Sequence, residues 1–270
     1  MRPSGKSNSI RATHSRYEVV EMSHREVNIV ETKPTKKIKY CILGAPDVGL
    51  VGAISMDYLI RSLKMEQIGY LESEIFDPII VVHQGVPESP LRIYGKDDLT
   101  AFISETPISA RAIYSVARAI VDWAQSKNVE LLVSVSGVAV QNRLEIDVPQ
   151  VFGVGTSPAI RDDFKKGNIE PLEEGFMAGL HALVVRECLK KGVNSIVLLA
   201  QSHLQYPDPG AAASAINSLN GLLGLNVDVK KLLEEEEEIR LKTRDLMRQT
   251  QRSMAQTPKA QEQEIPMMYA

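Results

Sequence analysis

The chain is poor in cysteine, having two, Cys41 and Cys188, in 270 residues. Both lie inside apolar strand-like or helix-like runs, which fits small buried hydrophobes in a reducing compartment and excludes a disulfide-stapled fold. There is no run of ~18 apolar residues of the kind that crosses a bilayer, and residues 1–16 hold no apolar stretch resembling a secretory signal. The expected location is the cytoplasm, without a membrane partner. No excess of positive charge is present either. Lys and Arg number 31 against 34 Asp and Glu, a net charge of −3, so a nucleic-acid partner, whose affinity comes largely from phosphate neutralisation, is not expected. Several chemical signatures are also missing. There is no Gly-Lys-Ser/Thr of a P-loop, no Gly-x-Gly dinucleotide fingerprint, no Gly-x-Ser-x-Gly elbow and no metal-ligand spacing. Cofactors and metals are therefore not expected.

What is present reads as an ordinary globular body. Hydrophobic residues make up 44% and charged residues 24%, enough for one large α/β domain with appendages. Residues 1–16 carry cations and no anion and read as a disordered basic N-terminus. Loose alternation from Tyr17 to Glu31 predicts an edge hairpin. Ile38–Leu43 is a strand, followed by the turn Gly44-Ala45-Pro46-Asp47-Val48-Gly49-Leu50-Val51-Gly52 and a helix to Leu63. Met65–Leu71 reads as a second strand and Pro78–His83 as a β-branched third. Leu91–Tyr94 and Leu99–Ser104 form a hairpin around a Gly/Asp turn. Ser109 is read as the cap of a helix to Lys127, with Ile113, Val116, Ala117, Ile120 and Trp123 on one face. Strands follow at Leu131–Val135, Val151–Val154 and Ser195–Ala200, with helices at Phe176–Leu189 and from Pro209 through Leu223. Alternating strands and helices, several strands being apolar on both faces, predict a three-layer α/β/α fold. Its sheet is largely parallel but mixed and spans about residues 17–228.

After Leu225 the character changes. Residues 229–248 read as a charged helix whose Leu225, Leu232, Ile239 and Leu246 recur every seven residues. That narrow stripe suits docking along one seam, on the same chain or on a neighbouring one. Residues 249–270 read as a flexible tail. About 20 residues at up to 3.3–3.6 Å each reach on the order of 60 Å.

Two features invite a chemical reading. The Gly44–Gly52 turn sits where a phosphate-binding loop would, yet Asp47 within it repels anions, so tight helix-on-strand packing is the preferred explanation over nucleotide binding. The polar residues at strand ends are Asp47, His83, Glu88, Glu105, Ser136, Gln141, Asn142, Gln201, Ser202 and His203. They lie where ligands bind in open α/β sheets, but form no recognisable triad, and His83 and His203 read as structural. Tyr206-Pro207-Asp208-Pro209 reads as a rigid turn into a helix. The last three residues, Met268-Tyr269-Ala270, place a lone tyrosine beside a carboxylate at the end of a polar segment. On this composition that arrangement arises by chance in roughly one chain in a hundred.

Taken in order, Gly44–Gly52, Phe76-Asp77-Pro78, Gly85, Ile93-Tyr94, Ser136-Gly137, Gly175, Gly179, Tyr206-Pro207-Asp208-Pro209 and Leu222–Asp228 resemble the proteasome-assembly-chaperone family in its archaeal homologues, over roughly residues 20–233. The resemblance implies a phosphorylase/hydrolase-like α/β/α domain in a homo-oligomer (tetramer or pentamer). It also implies a non-enzymatic, ATP-independent partner of the 20S proteasome. The ending is similar to the hydrophobic-Tyr-any terminus that proteasome activators insert between α-subunits. That similarity implies Met268 as anchor, Tyr269 as the gating residue and Ala270 as the carboxylate donor toward the α-ring. Two alternatives stand beside gate opening: a chaperone of 20S assembly that leaves the gate alone, and an enzyme of nucleoside-phosphorylase or hydrolase type using the Gly44–Gly52 turn with Glu105 or His203.

Overall fold

The computed structural model of the protein describes residues 27–35 and 37–255. The N-terminal basic segment, the first part of the expected edge hairpin, and Met268, Tyr269 and Ala270 lie outside the described residues. Nine strands form one mixed sheet in the order β1-β3-β6-β7-β2-β8-β11-β9-β10. Its centre is parallel: β2 (Tyr40–Gly44) lies between β7 (Leu99–Ser104) and β8 (Leu131–Ala139), and β11 (Ser195–Ser202) joins β8. These strands are buried on both faces, as their unbroken aliphatic runs require. The flanks are antiparallel. On one side are β1 (Asn28–Glu31), β3 (Glu66–Glu72) and β6 (Leu91–Lys96), and on the other β9 (Val151–Gly155), with the short β10 (Glu170–Pro171) parallel to it. The sheet is thus the expected mixed one, with more antiparallel pairing than the two hairpins read from the sequence.

Helices cover both faces. On one side α2 (Ile113–Ser126) and α4 (Gly179–Lys191) close a core containing Leu43, Phe102, Val116, Ile120, Trp123 and Val184. The expected α2 stripe is buried in full. The cap differs: the backbone carbonyl of Ser109, not its hydroxyl, accepts from Ala112 and Ile113 N–H, and the helix starts one turn later. α4 also starts later than expected, at Gly179, whose φ of 75° keeps the preceding Phe176 out of the helix and in solvent. On the opposite face lie α1 (Val51–Leu63), the short α3 (Pro158–Arg161) and α5 (Pro209–Leu223). The alanines of α5, Ala211, Ala212, Ala213 and Ala215, are all buried and admit close approach to the sheet and α1.

The charged C-terminal segment is two helices, α6 (Lys230–Glu234) and α7 (Glu236–Ala255), parted at Glu235. The seven-residue stripe docks on its own chain. Leu232 and Met247 are buried in the α1/α5 core, and Leu225, Ile239 and Leu246 pack partly buried against it.

One expected core strand is not one. Pro78–His83 does not join the sheet; β4 (Val81–His83) pairs only with β5 (Val86–Glu88) in a separate hairpin around Gln84 and Gly85. Its aliphatic side chains face solvent.

Candidate functional site

The Gly44–Gly52 turn is closed by the protein itself. Gly49 has φ 60° and Leu50 φ 53°, a paired left-handed kink that swings the chain from β2 into α1. A Cβ on Gly49 would run into the Ser202 hydroxyl, and one on Gly52 into the Val135 carbonyl. The turn thus packs directly against β8 and Ser202, and the Gly49 carbonyl accepts from Asp208 N–H at 2.9 Å. Tight helix-on-strand packing is what these glycines provide. Gly52→Ala is accordingly expected to cost about 3 kcal/mol, because backbone atoms cannot yield without parting α1 from the sheet. Urea unfolding measures it.

The strand-end residues fall into separate groups. In the first, the buried Asp47 carboxylate accepts from Ser136 Oγ at 2.8 Å, and His181 Nε2 of α4 lies 3.6 Å from it. His181 was hidden in sequence within an otherwise ordinary helix face. In the second, Asp208 is fully buried and serves four donors. Arg143 reaches it through Nε at 2.7 Å and Nη2 at 2.9 Å, and the N–H groups of Ala211 and His203 at 2.9 and 3.1 Å. Arg143 also donates to the Ile146 carbonyl at 2.7 Å. The strand-end loop after β8 is thereby latched to the start of α5. Sequence reasoning placed Asp208 in a rigid turn but missed Arg143; the signal available was a cap residue just before Pro209. His203 packs edge-on against Tyr206, ring centroids 6.1 Å apart, while Gln201 Oε1 accepts from Gln150 N–H. Gln141 and Asn142 are exposed.

The third group lies at the foot of the β4–β5 hairpin. Arg92, almost buried, pairs with both Glu88 and Glu105. His83 Nε2 stands 2.8 Å from Glu105 Oε2 and 3.0 Å from Arg92. Burial first, and then the Arg92 charge, hold the His83 imidazole below its ordinary value of 6.5. A histidine depressed in the folded state binds its proton more readily when unfolded, so its contribution is present above the ordinary value and lost as pH falls below it. The melting temperature is therefore expected to be lower at about pH 5.5 than at about pH 7.5, and His83→Gln to reduce that difference. His203, also depressed chiefly by burial, accounts for part of the remainder.

The last turns of α7 cross the carboxyl end of the sheet. Thr250 is buried, and Gln251 Nε2 donates to the Gln205 carbonyl at 2.9 Å. Thr250 and Met254 roof a cavity of about 50 Å³ floored by Ala45, Asp47 and His181. Met254 also borders a second cavity of about 200 Å³ lined by Val48, Ser136, Ala139, Phe176 and Leu199. The crevice where an open α/β sheet takes a ligand is thus largely roofed by the chain's own helix. Among the described residues no group of three or more His, Cys, Asp and Glu is placed to hold a metal ion, and no helix is long and apolar enough to cross a membrane.

The profile described as the PAC2 family matches residues 41–247. The crystal structure of Pyrococcus furiosus PbaA, an archaeal homolog of proteasome-assembly chaperone, aligns with a TM-score of 0.78 at 31% identity, covering 84% of this chain and 99% of that one. P. furiosus PbaB, an archaeal proteasome activator, shares the fold with a TM-score of 0.70 at 22% identity, covering 82% of this chain and 99% of that one. An uncharacterized protein of Methanocaldococcus jannaschii is 30% identical over 214 residues, 79% of this chain and 87% of its own length.

Proposed function

The chain belongs to the PAC2 family, and on that premise we propose that it is a non-enzymatic, ATP-independent proteasome-binding protein. It acts as a homo-oligomer that docks C-terminal tails into the α-ring pockets of the 20S particle and opens its gate. Met268 fills the apolar part of each pocket, Tyr269 displaces the gate-controlling turn, and the Ala270 carboxylate meets a cation. The observation that carries this reading is a body similar at 31% identity to a proteasome-assembly-chaperone homolog, joined through α7 to Met268-Tyr269-Ala270. The lack of a Gly-Lys-Ser/Thr motif in the Gly44–Gly52 turn supports ATP independence, and the last turns of α7 beside the strand ends are compatible with a binding role. A pull-down of 20S particles with the full chain and with the chain shortened by Met268–Ala270 tests it; equal capture by both refutes tail docking.

A second reading, a chaperone of 20S assembly without gate opening, is favoured by the 31% identity to PbaA, an archaeal homolog of proteasome-assembly chaperone. Mixing the protein with mature particles separates the two, because only gate opening accelerates cleavage of short peptides.

A further inference from the structure

The four most exposed large hydrophobic side chains among the described residues are Leu144, Phe176, Val148 and Tyr206, at 90, 83, 79 and 65%. They come from three separate loops, yet all belong to the end of the sheet that the last turns of α7 cross. Leu144 and Val148 stand in the loop after β8, which Arg143 latches to Asp208 at the start of α5. Tyr206 follows Gln205, whose carbonyl takes the Gln251 side chain of α7. Phe176 and Met254 of α7 line one and the same cavity. Hydrophobic residues scattered singly over a surface are ordinary, whereas a set of four at one end of the fold marks an interaction face.

Each of the three loops is held in shape. The buried Arg143–Asp208 pair, with Arg143 also donating to the Ile146 carbonyl, fixes the turn that carries Leu144. A buried ion pair is a weak device for stability alone, and here it orders a loop whose own apolar side chains lie in solvent. Gly175 and Gly179, with φ of 155° and 75°, stand on either side of Phe176 and set the bend that exposes it. Tyr206 is braced edge-on by His203 and followed by Pro207. Side chains fixed in advance lose little freedom on binding. Residues 140–149 and 172–178 carry four exposed carboxylates, Glu145, Asp147, Glu173 and Glu174, and no exposed cation. Their complement is an apolar surface with a basic rim.

The place where α7 ends selects the partner. Ala255 closes the helix one residue beyond Met254, and the 15 residues that follow reach at most about 50 Å. A particle that holds Met268–Ala270 is thereby kept within reach of this face. We propose that Leu144, Val148, Phe176 and Tyr206 form a second, body-to-particle contact, resting on an apolar, basic-rimmed area of the ring that takes the tails. The choice of partner rests on the function proposed above. The four side chains expose on the order of 500 Å² together, less than the about 800 Å² that a standard interface buries on each partner. The contact is therefore weak alone and acts jointly with the tail through effective concentration. Engagement by one protomer is enough.

The test is capture of purified 20S particles by the full chain, with circular dichroism and light-scattering mass recorded for every variant. Leu144→Asp with Val148→Asp and Phe176→Asp, the tail left intact, is expected to weaken capture about 10- to 100-fold with mass and spectrum unchanged. A second arm keeps the surface apolar. Phe176 replaced by a benzophenone-bearing phenylalanine is expected to attach covalently to an α-subunit on irradiation. The same probe in place of Leu189, also exposed but about 15 Å from Gly179 along α4, is expected to give no adduct. The chain shortened by Met268–Ala270 gauges the tails separately: undiminished capture by it refutes tail docking and leaves this contact standing. Undiminished capture by the triple Asp variant overturns the contact, as does a change in its mass, which assigns the face to self-association. An adduct at position 176 no stronger than at 189, or a wild type that captures no particle, overturns it too. If the triple variant loses its native spectrum, the cross-linking arm decides.

Discussion

Removing Met268 to Ala270 is expected to return peptide hydrolysis by a cognate 20S particle from the stimulated rate to the basal one, with the melting temperature unchanged. The size of the effect follows from how weak tails combine. A single tripeptide anchor buries little surface and binds near the millimolar range, about −4 kcal/mol. Several tails on one oligomer raise apparent affinity by 10²–10⁴ through effective concentration. Deletion removes every tail at once, so the multiplied affinity vanishes rather than declining. Tyr269→Ala is expected to abolish stimulation as well, since the proposed mechanism assigns the gating step to the aromatic ring. Among the described residues the two core clusters close on positions up to Met247, and on that basis the fold is expected to withstand both changes. Hydrolysis of a short fluorogenic peptide, with thermal melts of the same preparations, decides the matter; stimulation that survives the deletion removes the tail mechanism.

Asp208→Ala is expected to cost about 3–5 kcal/mol, lowering the melting temperature by roughly 10 °C for a domain of this size. Asp208 is fully buried and Arg143 nearly so. Truncating the acid strands a guanidinium in the interior, removes the side-chain cap of α5, and frees the loop that Arg143 ties down. Replacing both partners, Arg143→Met with Asp208→Asn, is expected to cost less than the sum of the single changes, since no uncompensated charge remains. Chemical denaturation of the single and double variants measures the coupling. A cost for Asp208→Ala below about 1 kcal/mol shows that the pair is not the latch described here.

The central strands and the α2 stripe were legible because burial on both faces, or on one helical face, writes a direct pattern of apolar residues. The same logic misplaced Pro78–His83. Its β-branched composition matches that of a core strand, but composition alone does not say whether the sheet takes the segment in, and here it stays in a separate hairpin. Arg143 and Asp208 were opaque for another reason. They pair across 65 residues, and no local spacing announces a contact made by two loops meeting at the end of a sheet. The heptad stripe from Leu225 to Leu246 told which face of the helix docks, while its destination depended on where α1 and α5 leave a seam. The terminal tripeptide stands as a chemical signature in the sequence alone, outside the described residues. The family match running through Met247 takes in most of α7, beyond the end of the resemblance visible in sequence near residue 233.

The burial of Met247 and Thr250 has a geometric consequence for docking. Because the last turns of α7 are seated on the body, the proposed docking would start from a fixed post at Ala255 rather than from a swinging arm. The 15 residues after Ala255 reach at most about 50 Å when fully extended. Landing points therefore fall inside a bounded disc around each post, and any pocket within that disc is accessible at little extra entropic cost. On the proposed mechanism, an assembly built this way would have no need to match its own rotational symmetry to that of the ring it meets.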